Sequence, residues 1–269
     1  MDQAYNLKYN GSYLEHKYGD QVRIFQNPVS QSLLAQMCRP EVMQPMLNIY
    51  VEKLYLILFE AMVNELYPRH EVTWDTRMKA VCPQGEWNGE VLHQATRSVV
   101  VDLARAGTWP SHVCFNYLSI LTNPAVCRQD HFYINRRTNT KGEVIGVDVS
   151  GSKIGGDQDQ SIVIFPDPMA ATGGSLSHCV SHYKDQVKGK ALFYVALHLI
   201  ITPEYIARMK KDHPDVQIFA LRLDRGLSAP EVLSSIPGTY PDKECGLTDH
   251  QYIVPGAGGV GEILNNSFV

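Results

Sequence analysis

The sequence predicts an α/β fold with a doubly wound, mainly parallel sheet; one observation predicts it and two others bound it. From Ser98 onward, short apolar, largely β-branched runs alternate with polar loops and helical stretches, which is how parallel strands with crossover helices read. The chain has 269 residues, 44% hydrophobic and 19% charged, enough to bury a sizeable core without staples. Its six cysteines contain no C-x-x-C pair, so their spacing points to neither a zinc ribbon nor a redox motif.

The elements follow in order. Residues 1–45 read as an N-terminal helical arm: up to about Arg39 the chain is polar and Tyr-rich, with no long apolar period. A main domain is expected over 46–269. Its first helix is marked by Met46, Ile49, Leu54, Leu58, Met62 and Leu66 at helical spacing before Pro68. The middle of that run is apolar nearly all round, so the helix is expected to be largely buried, with a second subunit one candidate for its cover. Strands are expected at Ser98–Leu103, His131–Asn135, Ser161–Phe165, Leu192–Leu199 and Val216–Leu221, and helices at Ser175–Lys188 and Pro203–His213. Such a sheet takes its ligands beyond the carboxyl ends of the strands. Ser150–Gln160, rich in Gly, Ser and Asp, reads as a surface hairpin or a mobile flap. Ser228–Cys245, with Pro230, Pro237, Gly238 and Pro241, reads as an extended excursion.

A net charge of −4 gives no basic footprint for bulk DNA or RNA, so nucleic acid is not expected as a partner. No apolar run has the length of a membrane span, and the first residues lack the order of a secretory leader; the expectation is a cytoplasmic protein with no membrane partner.

The most informative segment is Ser161–Ser177, SIVIFPDPMAATGGSLS. An apolar strand ends in an acid, and a Thr-Gly-Gly-Ser turn opens a helix. Amide groups of Ala171–Ser175 at a helix N-terminus, with Gly173 and Gly174 permitting close approach, suit a phosphate. Thr172 and Ser175 add hydroxyl donors, and Asp167 stands where it could accept from ribose hydroxyls. The alternative is a plain strand-to-helix turn capped by Ser175.

This segment resembles the phosphoribosyl-diphosphate loop of the type I phosphoribosyltransferases, in the single-acid form of the uracil phosphoribosyltransferase family. HPDVQIFALRLDRGL at His213–Leu227 and GLTDHQYIVPGAGGVGE at Gly246–Glu262 are similar to that family's last segments, and ARAG at Ala104–Gly107 to its Arg-Ala-Gly loop. The resemblance covers roughly residues 46–269. It implies that Asp167, Pro168, Met169, Ala170, Ala171, Thr172, Gly173, Gly174 and Ser175 bind the ribose 5-phosphate, that Arg105 faces the diphosphate, and that Arg136, or less well Arg137, is a second diphosphate arginine. It assigns catalysis to Arg105 and Asp167. It places uracil against main-chain groups at Ile253, Gly258, Gly259 and Val260, and it implies Mg²⁺ carried by the substrate diphosphate, with no dedicated protein metal site. The implied reaction joins uracil to phosphoribosyl diphosphate in pyrimidine salvage, by a homodimer or higher homo-oligomer.

The chain departs from the family's pattern in three places. Where the family has G-D-x-G-D, Gly259 stands at the first acid, which is expected near the base, and Glu262 stands at the second; as a substitute for the first, Glu262 is displaced by three residues. Thr108-Trp109-Pro110 follows Arg-Ala-Gly and must reshape that loop. The Ser228–Cys245 excursion is longer than the family's connection and is expected beside the base site. The second reading is therefore a catalytically weakened paralogue that binds nucleotide or phosphoribosyl diphosphate as a regulatory protein, and a third is a transferase for another base. Gly256–Gly261, GAGGVG, also fits G-x-G-x-x-G, but a dinucleotide turn needs a βαβ unit and an acid about 20 residues on. His178 and His182, at i and i+4, have no third ligand in view and read as helix-face histidines.

Overall fold

The computed structural model describes residues 11–138 and 144–268; the side chains of 135–149 lie outside the description. In chain order the elements are β1 (Val22–Ile24), α1 (Pro28–Met37), α2 (Met46–Leu66), β2 (Arg69–Asp75), β3 (Glu86–Leu92), β4 (Ser98–Ala104), α3 (Thr108–Leu121), β5 (Cys127–Thr138), β6 (Val144–Lys153), β7 (Ile162–Pro166), β8 (Met169–Ala170), α4 (Gly174–Gln186), β9 (Phe193–Ile201), α5 (Pro203–Asp212), β10 (Val216–Leu223), α6 (Pro230–Leu233) and α7 (Val260–Asn265).

The main sheet runs β1-β10-β9-β7-β4-β5-β6. Its neighbours pair in parallel, except β5 with β6, which form an antiparallel hairpin. β8 adds a short parallel pairing to the end of β9, and β2 with β3 make a separate antiparallel hairpin. Successive side chains of a strand point to opposite faces. Val100, Ile162 and Ile164 therefore enter a core shared with α1, α2, α3 and α7, while Val99, Val101, Leu103, Val163 and Phe165 enter one shared with α4 and α5. Covering both faces is why β7 reads as an unbroken apolar run and β9 as one interrupted only by His198.

The five predicted strands and three predicted helices are present with ends shifted by a few residues, and the fold is the doubly wound one expected. The long helix α2 is covered by this chain's own α1, α3, β9 and β10, and Tyr55 on it donates to the Leu197 carbonyl at 3.1 Å. Of the two readings of Ser150–Gln160, the hairpin describes its start: residues 150–153 close β6. The rest is pinned by Asp130, whose Oδ1 accepts from Gly155 N at 2.8 Å, and by Arg128, whose Nη1 donates to the Asp157 carbonyl at 2.7 Å.

Thr108-Trp109-Pro110 does not deform a loop; it opens α3. Pro110 falls in the first turn, where amide groups have no intrahelical acceptor to lose. Trp109 reaches α2 and donates from Nε1 to the Asn48 carbonyl at 3.1 Å. The excursion over 228–245 also differs from expectation, folding back on the segment before β1. Buried Glu244 fastens it by accepting from Arg225 Nη1 and Gly238 N, each at 2.8 Å, and from the Tyr18 hydroxyl.

Candidate active site

The chain leaves β4 into α3 on one face of the sheet and leaves β7 into α4 on the other. β4 and β7 are neighbours, so their connections part in opposite directions and leave a crevice at the carboxyl ends of the strands. A cleft of about 930 Å³ opens there. Arg105 enters it from the end of β4, and Asp167, Met169, Ala171 and Ser175 from the end of β7. Ile253, Gly258, Gly259, Val260 and Glu262 form the facing wall, and Tyr133, Ile134 and Ser150 of the β5–β6 hairpin close a third side.

The structure thus brings together most of the sequence-predicted site residues. Pro168 and Ala170 are buried beneath the loop, and Thr172, Gly173 and Gly174 belong to it without lining the cleft. Arg136 pairs with Val147 along the hairpin, and its side chain lies outside the described residues. None of residues 228–245 lines the cleft, although the excursion starts and ends beside the facing wall, where Gly226 N donates to the Val254 carbonyl and Leu227 N to the Cys245 carbonyl, each at 3.0 Å.

The loop after β7 is held from behind by β9 and α5. Asp167 N donates to the Leu197 carbonyl at 3.0 Å, and the Pro168 carbonyl accepts from Leu199 N and Ile200 N, each at 3.1 Å. Thr202, the N-cap of α5, donates to the Ala171 carbonyl at 2.7 Å. The Asp167 carbonyl can only accept, so fully buried His198 donates to it from Nδ1 at 2.6 Å and takes the Tyr205 hydroxyl on Nε2 at 2.7 Å. Burial, only partly offset by the bond to Asp167, lowers the His198 pKa to about 4. Among the described residues no hydrogen-bond acceptor takes the amides of Thr172, Gly173, Gly174 and Ser175. Gly173 has φ +75°, and a Cβ there would press on Tyr205 and Arg208 of α5. A side chain at 173 would thus be refused first by backbone conformation and packing, and not by a ligand in the cleft.

The facing wall has its own clamp. Buried Asp224, just past β10, takes Arg222 Nε at 2.6 Å and Nη2 at 2.8 Å, and its Oδ2 accepts from Gly256 N at 2.7 Å. Arg222 Nη2 closes the loop by donating to the Gly256 carbonyl at 3.0 Å. Glu204 Oε1 accepts from Gly246 N at 2.9 Å and Leu247 N at 3.2 Å. On this wall a single antiparallel bridge joins Leu247 with Ile253. Arg105 is exposed, and its Nη1 donates to the Ser267 carbonyl at 2.9 Å and hydroxyl at 2.8 Å.

His198 and Asp224 escaped sequence reading as supports of the site. His198 is one polar residue in an apolar strand, and Asp224 lies in a quoted segment without a signal that it reaches position 256.

Among the described residues no group of three or more His, Cys, Asp or Glu could hold a metal. The cleft does present two carboxylates, Asp167 and Glu262. Asp167, on the loop after β7, is a hard oxygen donor and fits a Mg²⁺ ion that arrives on substrate phosphates and keeps its remaining waters.

A doubly wound sheet with an acid-ended strand, a Thr-Gly-Gly-Ser turn and an arginine across the switch point defines a pentosyltransferase of the type I phosphoribosyltransferase class. The uracil phosphoribosyltransferase family model matches residues 24–243. The chain belongs to the uracil phosphoribosyltransferase family.

A uracil phosphoribosyltransferase of Dictyoglomus turgidum is 31% identical over 210 residues, 78% of this chain and 81% of that one. Another, of Thermococcus kodakarensis, is 34% identical over 103 residues, 38% of this chain; there the chain spans about a third, 35%, of its relative's length. The solved AQ2163 protein of Aquifex aeolicus has the same fold, with a TM-score of 0.67 at 20% identity over 90% of this chain and 96% of that one. The family match stops at residue 243, before the facing wall of the cleft, and no helix among the described residues is long and apolar enough to cross a membrane.

One prediction follows from the buried histidine. With a folded pKa near 4 below an unfolded value of about 6.5, neutral His198 contributes stability that is fully present above pH 6.5. That contribution declines as pH falls from 6.5 towards 4, by roughly 1.4 kcal/mol per pH unit. Urea unfolding at pH 7 and pH 5 should show the loss in the wild type and a smaller one in His198→Gln, which has no ring to protonate. Equal losses in both proteins would remove His198 as the cause.

Proposed function

We propose that this protein transfers the 5-phosphoribosyl group of phosphoribosyl diphosphate to N1 of uracil, giving UMP and diphosphate, a reaction of pyrimidine salvage. The observation that carries the reading is one cleft at the switch point lined by Arg105, Asp167, Ala171 and Ser175 together with Ile253, Gly258 and Val260.

Each group has a physical part in this reading. The unpaired amides of the 172–175 turn, at the N-terminus of the 13-residue α4, receive the 5-phosphate. Asp167 accepts from the ribose hydroxyls, and its charge favours the oxocarbenium-like ribose that forms as the C1′–O bond stretches. Arg105 faces the charge developing on the departing diphosphate, with Arg136 as the second proposed cation. Mg²⁺, held by the phosphate oxygens with Asp167 as a protein carboxylate, would neutralise part of that charge when bound. The clamped turn at Gly256 fixes the main chain that orients the base, so N1 is held near C1′ at high effective concentration.

The β2–β3 hairpin supports a homo-oligomer. Trp74 and Trp87 pair across it at 52% and 39% exposure, with Met78 at 58% and Val81 at 75% beyond them. A lone two-stranded hairpin is marginal in water, and apolar side chains at its tip suit a second copy of the chain. Sedimentation should give a dimer or larger species for the wild type and a smaller one for Trp74→Glu; a monomeric wild type would exclude it.

Asp167→Asn is expected to weaken phosphoribosyl-diphosphate binding by tenfold or more, about 1.4 kcal/mol, and to leave the protein folded, because asparagine keeps the side-chain oxygen that accepts from Met169 N at 3.5 Å. Calorimetric titration and a melting curve test both halves. Unchanged affinity in a folded variant would detach this loop from the ribose.

Main-chain reading of the base should separate uracil from cytosine strongly. An amino group in place of the O4 acceptor leaves a buried main-chain group unpaired, a mismatch that elsewhere discriminates by about 10⁴. The ratio of kcat/KM for the two bases measures it, and a ratio near one would point instead to a transferase for another base.

A further inference from the structure

We propose that Glu262 supplies the carboxylate that takes the N1 proton of the base, an inference that rests on the transferase reading above. In sequence Glu262 is three residues from Gly259, where a side chain is missing. In space the two coincide. α7 opens at Val260, and its first turn folds Glu262 back over Gly259, with Glu262 N donating to the Gly259 carbonyl at 3.1 Å. A Cβ built on residue 259 would lie within 3.0 Å of Glu262 Oε2. The Glu262 carboxylate therefore occupies the space into which a side chain at 259 would grow.

Two further observations give that placement a purpose. The φ of Gly259 is −78°, a value open to any residue, so the backbone does not require glycine there; what glycine leaves is room. Among the described residues, the Glu262 carboxylate makes no hydrogen bond or ion pair, although it lines the cleft beside Gly258 and Val260. A glutamate at this helical position is often explained by a bond back to the N-cap amide, and that bond is absent here among the described residues. The other cleft carboxylate, Asp167, belongs to the opposite wall with the ribose-phosphate loop.

The chemistry needs an acceptor on the base wall. As the C1′–O bond breaks, diphosphate leaves with its electron pair. As the N1–C1′ bond forms, N1 must shed its proton. Glu262 receives that proton and returns it to water after release of product, which restores the carboxylate.

The test uses the full chain and the variants Glu262→Gln, Glu262→Ala, Gly259→Asp, and Gly259→Asp combined with Glu262→Ala. Turnover with uracil, the pH profile of kcat/KM, and calorimetric binding of phosphoribosyl diphosphate are measured. Glu262→Gln should lower kcat by about 10² or more, flatten the acidic limb of the profile, and leave the affinity for phosphoribosyl diphosphate nearly unchanged. Gly259→Asp alone should lower turnover, because two carboxylates then compete for one space. In the Glu262→Ala background the same substitution should raise it by at least about tenfold, a sign reversal that a merely structural role would not give. An active wild type with Glu262→Gln indistinguishable from it overturns this assignment and leaves the transferase reading standing. A wild type that turns over no base overturns that reading, and the assignment with it.

Discussion

The organisation of the site depends on how β4 and β7, paired as neighbours, send their chains to opposite faces of one sheet. A sheet buried on both faces leaves polar groups little room except at strand ends. Of these ends, the pair at the switch point is the one that no connection crosses. Arg105 and Asp167 are there because β4 and β7 end there. Their chemistry is local, but their meeting is a consequence of strand order.

Position alone would not make a binding surface from loops. The loop after β7 turns its carbonyls towards β9 and α5, to Leu199, Ile200, His198 and Thr202. The amides of its last turn are left on the other side without protein acceptors among the described residues. Buried His198 can do this only as a neutral ring, since a charge there would go unpaired. On the facing wall Asp224 and Arg222 hold both the amide and the carbonyl of Gly256. Breaking such a buried pair leaves an uncompensated charge, which makes it a rigid support. Both walls are thus fixed by side chains that point away from the cleft.

How much of this was legible follows from the range of each signal. The strand and turn over 161–175 carry their information within 15 residues, as apolar run, acid and glycine pair, and the structure has them as read. β2 and β3 went unread because RHEVTWD and EWNGEVL are polar on both faces, and β1 because three residues carry no period. α3 was hidden by Trp109 and Pro110, which resemble a loop and are tolerated in a first helical turn. Glu262 was judged displaced by counting along the chain, whereas one helical turn carries a residue at i+3 back over its start. Contacts between distant segments, such as Asp224 with Gly256 or Glu244 with Tyr18, have no signature in a single sequence.

The short α7 joins two parts of the site that the strand order keeps separate. A Cβ on Gly261 would meet the Cβ of Ala106 at 3.2 Å, so the helix packs directly on the loop that carries Arg105. Asn265 donates to the Arg105 carbonyl at 3.3 Å, and Arg105 in turn holds Ser267. Gln44, at the start of the α2 turn, donates to the carbonyls of Ile263 and Leu264 at 3.0 and 2.8 Å and ties the same helix to the core. The facing wall of the cleft and the loop that carries Arg105 are therefore tied to each other through α7, while Asp167 and the 172–175 turn are held from β9 and α5. In the proposed reaction the breaking C1′–O bond and the forming C1′–N bond share one carbon, which the proposed ribose-phosphate loop would hold, while the proposed sites of both groups exchanged at that carbon share the support of α7. Because β4 and β7 pair in one sheet and α7 packs on the same core, the two sides keep a fixed spacing, which suits an exchange at a single carbon.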